Sequence, residues 1–248
     1  MVKSTASTRA GGVAAERRIA EVKALDLFCK AGGASMGLHQ AGFDVTGVDI
    51  EPQPRYPFRF VQGDAFHYLA GALRGFDLIW ASPPCQAFTC LNQMWNAKEH
   101  ADLLTPMRQR LIHAECLYVI ENVPGAPLLP GSTKLCGTMF GLKSSSGAEL
   151  RRHRYFESNF PMLAPPCRHS KGRVIGVYGG HGRDSRRKSN TQDFSTAERR
   201  EAMDIDWMSG AELSQAIPPA YAKFIGEAAI KYIRDTGQAR KWELIGSA

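Results

Sequence analysis

The sequence contains no CxxC pair, and no apolar run in it approaches the ~18 residues that a membrane span needs. Its six cysteines (Cys29, Cys85, Cys90, Cys116, Cys136 and Cys167) are scattered. That pattern excludes a disulfide framework and a zinc knuckle, and it suits a reducing compartment. Cys167 and His169 stand too isolated to read as a metal site, so no metal is expected. The first residues lack the apolar stretch of a signal peptide, which with the cysteine usage makes the cytoplasm the expected location. A Walker phosphate loop is also missing, because Lys30 precedes Gly32 and no Gly-Lys-Ser/Thr follows. No internal repeat is visible.

Acids are scarce in one region. Between residues 151 and 200 only Glu157, Asp184, Asp193 and Glu198 oppose twelve arginines and lysines, an excess larger than the net +7 of the whole chain. Such a cluster is the electrostatic footprint of a phosphate-backbone binder, or of a solvated loop. Residues 157–200 are also rich in Pro and Gly and poor in long apolar periods, and read as a loop-rich module. Residues 1–20 are small, polar and basic, and read as a flexible end.

Residues 21–156 alternate. The stretches 22–28, 44–50, 58–64, 77–83 and 117–123 are short and mostly apolar, with helical patterns between them, one of which ends at Gly42. Strands joined by crossovers imply a parallel sheet with helices on both faces, an α/β fold. Residues 201–248 return to helix and are expected to pack back on the catalytic domain, with Tyr221, Phe224, Ile225 and Ala228 on the inner face.

The chemistry gathers at the strand ends. "ALDLFCKAGGASMG" sets a glycine turn between strand one and a helix, where backbone N–H groups can approach a ligand. Asp49 ends the second strand and Asp64 the third, either as ligand acceptors or as loop caps. Cys85 follows two prolines at the end of strand four, and Glu121 and Asn122 end strand five. A cysteine and a carboxylate facing one crevice suggest covalent catalysis with a proton donor beside the nucleophile. No histidine accompanies either group, which disfavours a papain-like pair. A dinucleotide oxidoreductase would leave both motifs unexplained.

The stretches "DLFCKAGG", "SPPCQAFT", "ENVPG", "RRHRYF" and "LSQAIPPAY" together resemble, in order and spacing, the cytosine-C5 DNA methyltransferase family. The resemblance runs from about Ala24 to Ile230, and the compressed form is similar to the solitary enzymes of bacteriophages. It implies a Rossmann-like methyltransferase sheet with a small target-recognition module at 157–200, and S-adenosylmethionine as cofactor. Phe28, Gly32 and Gly33 would line the cofactor, Asp49 its ribose, and Asp64 with the backbone of Ala65 its adenine. Asp26, Ile50, Ser82 and Pro84 complete that expected set. Gln215 stands where the family has asparagine. Cys85 would add to cytosine C6, Glu121 would bind N3 and the amino group, and Arg152 and Arg154 match a paired arginine motif whose second member would reach O2. Lys30 replaces a glycine of the family and is expected to point at the cofactor's carboxylate end. Gln86, Arg168, Lys171, Arg173, Arg183, Arg186, Arg187 and Lys188 would contact DNA. The partner implied is double-stranded DNA bound by a monomer, with no membrane, in the cytoplasm or in the host cytoplasm of a phage-encoded enzyme. The same chemistry on transfer RNA, or a DNA-binding relative without activity, are the alternatives.

Overall fold

The computed structural model describes residues 22–72, 75–84, 101–114, 116–178 and 194–237. Cys85, Gln86, Arg183, Arg186, Arg187 and Lys188 lie outside the described residues, as do the first twenty residues and most of the polar stretch after Cys85.

Five apolar runs become five parallel strands: β1 (Lys23–Leu27), β2 (Asp44–Asp49), β3 (Arg59–Gln62), β4 (Leu78–Ala81) and β5 (Leu117–Asn122). Helices α1 (Gly33–Ala41), α2 (Ala65–Ala72) and α3 (Leu104–Ile112) lie between them. Then come β6 (Thr133–Leu135), a 3₁₀ turn (Gly137–Phe140), β7 (Glu149–Leu150), β8 (Arg154–Ser158) and β9 (Val174–Ile175). Helices α4 (Thr196–Met203), α5 (Gly210–Gln215) and α6 (Pro219–Thr236) close the order.

The main sheet has seven strands in the order β3-β2-β1-β4-β5-β8-β6, with β8 antiparallel to both neighbours. Side chains alternate between two cores, as the pleat requires. Ala24, Leu78, Trp80, Leu117 and Val119 face one core with Leu38 of α1 and Tyr221 and Ile225 of α6. Leu25, Leu27, Ile79, Ala81, Tyr118 and Ile120 face the other, with Leu69 of α2 and Met107 of α3. Burial on both faces is why these strands read as continuous apolar runs in sequence. Helix α3 is further tied to β8 by Arg108, whose guanidinium grips the buried Glu157 at 2.8–3.0 Å.

The inner face of α6 differs from the expectation. Its buried line is Tyr221, Ala222, Ile225, Gly226, Ala229, Ile230 and Ile233, while Phe224 and Ala228 sit at the flank. Small residues take the centre because α6 lies directly on α1: a Cβ at Gly226 would stand 2.8 Å from that of Ala41.

The module expected at 157–200 begins within β8, since that strand runs to Ser158. Its described part pairs β9 in parallel with β7. Ile175, Val177 and Phe194 share a third core with Leu150, Met203 and Leu213. Helices α4 and α5 therefore pack with this module, each opened by a capping box, Ser195/Glu198 and Ser209/Glu212. Of the C-terminal helices, α6 is the one in the sheet's core.

Candidate active site

In a parallel sheet all carboxyl ends share one edge, and ligands bind where the strand order reverses. Here that point lies between β1 and β4, the strands flanking the sheet's centre. A cleft opens there, lined by Asp26, Phe28, Lys30, Gly33, Ser82 and Gln215, six of the residues expected to hold a cofactor. Cys29, Ala31 and Ala34 also line it, and from the far side Met208, Ala216 and Ile217 complete it. These three escaped sequence reasoning because nothing local to them signals a ligand; the tether that brings them is Trp207, whose indole N–H donates to the carbonyl of Ala31 at 2.9 Å.

The turn after β1 is tightly wound. Phe28 and Lys30 adopt φ of 61° and 45°, and Gly32 adopts 84° before α1 begins. The left-handed region disfavours side chains, so two exceptions within three residues mark a strained turn. Phe28 is held by edge-on packing against Phe66, with ring centres 6.2 Å apart. The expected glycine position is filled by Lys30 in a glycine-like conformation.

The ammonium of Lys30 does not take the place expected for it. Its Nζ lies 2.8 Å from Glu51 and 3.5 Å from Asp49, and its main-chain N–H donates to Asp49 at 3.0 Å. The two acids at the end of β2 draw the cation to themselves. Asp49 also accepts from the Glu51 N–H, and Asp64 accepts from the His67 N–H at 2.8 Å, so both carboxylates cap backbone. Ile50 is 66% exposed beside them, and Ala65 is buried at the start of α2.

Asp26 lies under the cleft at 1% exposure, 2.5 Å from the Ser35 hydroxyl, which in turn meets the Tyr56 hydroxyl at 2.7 Å. Burial pushes its carboxyl up to about 7, and Asp49 adds to the push while Ser35 opposes it. A carboxyl raised above its unfolded value favours the protonated native state. Its contribution is intact below about 4 and is lost as pH rises through about 7. Unfolding in urea should therefore show Asp26→Asn flattening the wild-type loss of stability between pH 4 and 7, by up to about 4 kcal/mol. Equal pH slopes in the two proteins would contradict this.

One strand over, Glu121 is 7% exposed, and its carboxyl is raised by burial, opposed chiefly by Arg154. The Nε of Arg154 stands 3.2 Å from Oε1 of Glu121. Ser82, whose hydroxyl takes the Trp80 indole N–H at 2.9 Å, follows β4 in line with Glu121 on β5. Buried Asn122 donates to the carbonyl of Pro83 at 3.1 Å, so the Pro83-Pro84 turn that leads into Cys85 is pinned beside Glu121.

Arg152 is spent on the backbone. At 2% exposure it donates to the carbonyls of Val177 and Ser214 at 2.6 and 2.7 Å, while its own carbonyl accepts from Tyr221. It clamps the module to α5 and α6, so of the paired arginines expected at a catalytic site the second, Arg154, is the one at the Glu121 carboxyl. Arg168, Lys171 and Arg173 are exposed, and Arg173 also lies over the Phe194 ring at 4.8 Å. Cys167 and His169 are not isolated either. Cys136 and His153 stand against them, brought there by the pairing of β6 with β8. No helix among the described residues is long and apolar enough to cross a membrane.

Residues 22–126 match the family model for C-5 cytosine-specific DNA methylase. The type II methyltransferase M.XorII of Xanthomonas oryzae pv. oryzae is 33% identical over 116 residues, covering 40% of this chain and 26% of that protein. The chain thus spans about a quarter of that relative's length. Among solved structures, the S. pombe Dnmt2 methyltransferase superposes with a TM-score of 0.55 at 13% identity, over 86% of this chain and 99% of that one. The Entamoeba histolytica methyltransferase EhMeth gives 0.53 at 10% identity, over 86% and 99%. At such identities the likeness is one of fold. The matched stretch holds Asp26, Ser82 and Glu121 alike, and over it the chain is similar to the C-5 cytosine-specific DNA methylases.

Proposed function

We propose that this chain methylates C5 of cytosine in double-stranded DNA, with S-adenosylmethionine as methyl donor and Cys85 as nucleophile. The observation that carries the reading is the placement of Ser82, which lines the cofactor cleft, beside Glu121: β4 and β5 pair Ala81 with Ile120, so the two residues follow next to each other at the sheet's edge. The methyl-donor site and the acid thus adjoin.

The cleft fits such a cofactor. Gly33 lines it where backbone of the glycine turn meets the Ile217 carbonyl, Asp49 and Glu51 offer acceptors for ribose hydroxyls at the end of β2, and Phe28 and Ile50 offer apolar surface. When bound, the cofactor supplies an electrophilic methyl group. The chain's task is to make an unreactive ring carbon nucleophilic. The Cys85 thiolate adds to C6, the C5–C6 π pair moves into the ring, and neutral Glu121 gives its proton to N3 to spread that charge. After methylation N3 returns its proton to Glu121, a base takes the C5 proton, the pair returns to the C5–C6 bond, and Cys85 departs as thiolate. Arg154 holds Glu121 in place, and the Asn122–Pro83 bond sets where the Cys85 segment begins. A paired base cannot reach this edge, so the cytosine must leave the duplex at a cost of a few kcal/mol. Exposed Arg168, Lys171 and Arg173 suit phosphate contacts that hold the duplex meanwhile.

Duplex DNA and transfer RNA, reacted in parallel with methyl-labelled cofactor and digested for mass analysis, test this. The expected product is 5-methyldeoxycytidine from DNA, and 5-fluorocytosine DNA should stay bound through denaturant to the wild type but not to Cys85→Ser. Label in transfer RNA alone, or product formation by Cys85→Ser, would overturn the proposal.

A further inference from the structure

Four soft ligands from three segments converge beyond β5. The side-chain donor atoms of Cys136, His153, Cys167 and His169 all lie within 4.8 Å of one another. Cys136 Sγ is 3.3 Å from His169 Nε2, and Cys167 Sγ is 3.5 Å from His153 Nε2. A tetrahedral zinc with Zn–S of about 2.3 Å and Zn–N of about 2.0 Å has S···N edges of about 3.5 Å. The observed spacings are those of such an edge. Two separate thiol–imidazole hydrogen bonds would account for each pair but not for the convergence of both on one point.

The placement follows from the sheet. Strands β6 and β8 run antiparallel with Leu135 opposite Arg154, so the next pair outward is Cys136 and His153. Residues 161–172, which carry Cys167 and His169, contain neither helix nor strand. A loop of that length inside a packed module needs a fastening. Arg151 supplies part of it by bridging Glu149 and the carbonyl of Ser170. Cys136 is buried, Thr138 Oγ1 lies 3.3 Å from its sulfur as an outer partner, and His153 and Cys167 are half-buried.

We propose that Cys136, His153, Cys167 and His169 form a structural zinc site that staples the 161–172 loop to the β6–β8 edge of the sheet. Two thiolates and two imidazoles favour zinc over magnesium or calcium, and four protein ligands leave no open position for catalysis. The staple bears on the site at one remove. His153 sits between Arg152, which clamps the module, and Arg154, which holds Glu121. The metal thus ties the exposed Arg168 and Lys171 to the strand that positions the acid. The proposal stands independently of the methylation chemistry.

The test uses untagged full-length protein purified under reducing conditions without chelator. Elemental analysis should find about one equivalent of zinc. Cobalt exchanged into the protein should show the intense visible bands of a tetrahedral site with thiolate charge transfer. Zinc removal by a chelator should speed tryptic cleavage at Arg168 and Lys171 by about tenfold or more, and added zinc should reverse it. Cys167→His, which keeps a ligand, should retain metal, and Cys167→Ala should lose it. If Cys167→Ala fails to fold, the chelator experiment on the wild type still decides. Protein that binds less than about a tenth of an equivalent, cobalt spectra without thiolate bands, or a Cys136–Cys167 disulfide in the reduced preparation would each overturn the proposal.

Discussion

Glu121→Gln should lower the single-turnover rate of cytosine methylation by about 10²–10³-fold, with DNA affinity within about threefold of the wild type. The amide keeps the size of the side chain and can still donate a hydrogen bond. It cannot hand over a proton, which is what the adduct at C6 needs. The pH profile separates this role from a structural one. Burial raises the carboxyl of Glu121, so the acid form persists above the ordinary glutamate range and the wild-type rate falls as pH climbs through the raised value. That alkaline limb should vanish in the glutamine variant. Arg154 opposes the rise from 3.2 Å, so Arg154→Leu should move the limb to higher pH while lowering the rate. A glutamine variant with unchanged rate, or with the same alkaline limb, would remove Glu121 from the chemistry.

Gly37→Val should destabilise the protein by roughly 3 kcal/mol or more, the range of severe overpacking against main chain. A Cβ at Gly37 would stand 2.1 Å from the carbonyl oxygen of Pro219 and 2.7 Å from the Lys223 nitrogen. Neither is a flexible side-chain tip, so α6 itself must move. The residues just before α6 include Gln215 and Ile217, which line the cleft, so cofactor affinity should fall with stability. Gly71→Ala is the control: nothing lies within 4 Å of its would-be Cβ, and within α2 the exchange should stabilise by about 0.5–1 kcal/mol. Urea midpoints and cofactor titration read both. Equal midpoints for Gly37→Val and the wild type would refute the close packing of α1 on α6.

Much of the site was legible because a parallel sheet converts sequence into geometry with little freedom. Each apolar run ends in a polar residue, and the pleat and the common strand direction carry Asp26, Asp49, Ser82 and Glu121 to one edge. What escaped depends on long-range pairing. Arg152 looks like a twin of Arg154 in the string, but β8 begins only at Arg154, and Arg152, just before the strand, turns to the carbonyls of Val177 and Ser214 while Arg154 meets Glu121. Lys30 followed its local motif until the charges at the end of β2 claimed it. Cys136 and His153 meet only through the antiparallel return of β8 beside β6, a register that no spacing rule reveals. The inner face of α6 was misplaced because small residues, not aromatic ones, mark the line of closest approach.

The cleft draws one wall from the turn after the first strand and the other from the segment before the last helix, where a Cβ at Gly33 would meet the carbonyl of Ile217 at 2.4 Å. During translation at about 5–20 residues per second, those walls emerge from the ribosome roughly ten to forty seconds apart. For that interval Asp26 and the glycine turn have no opposite wall, so competence for ligand is the last property a nascent chain acquires. A chain cut short before residue 217 would keep all seven strands of the main sheet and lack the second wall of the cleft.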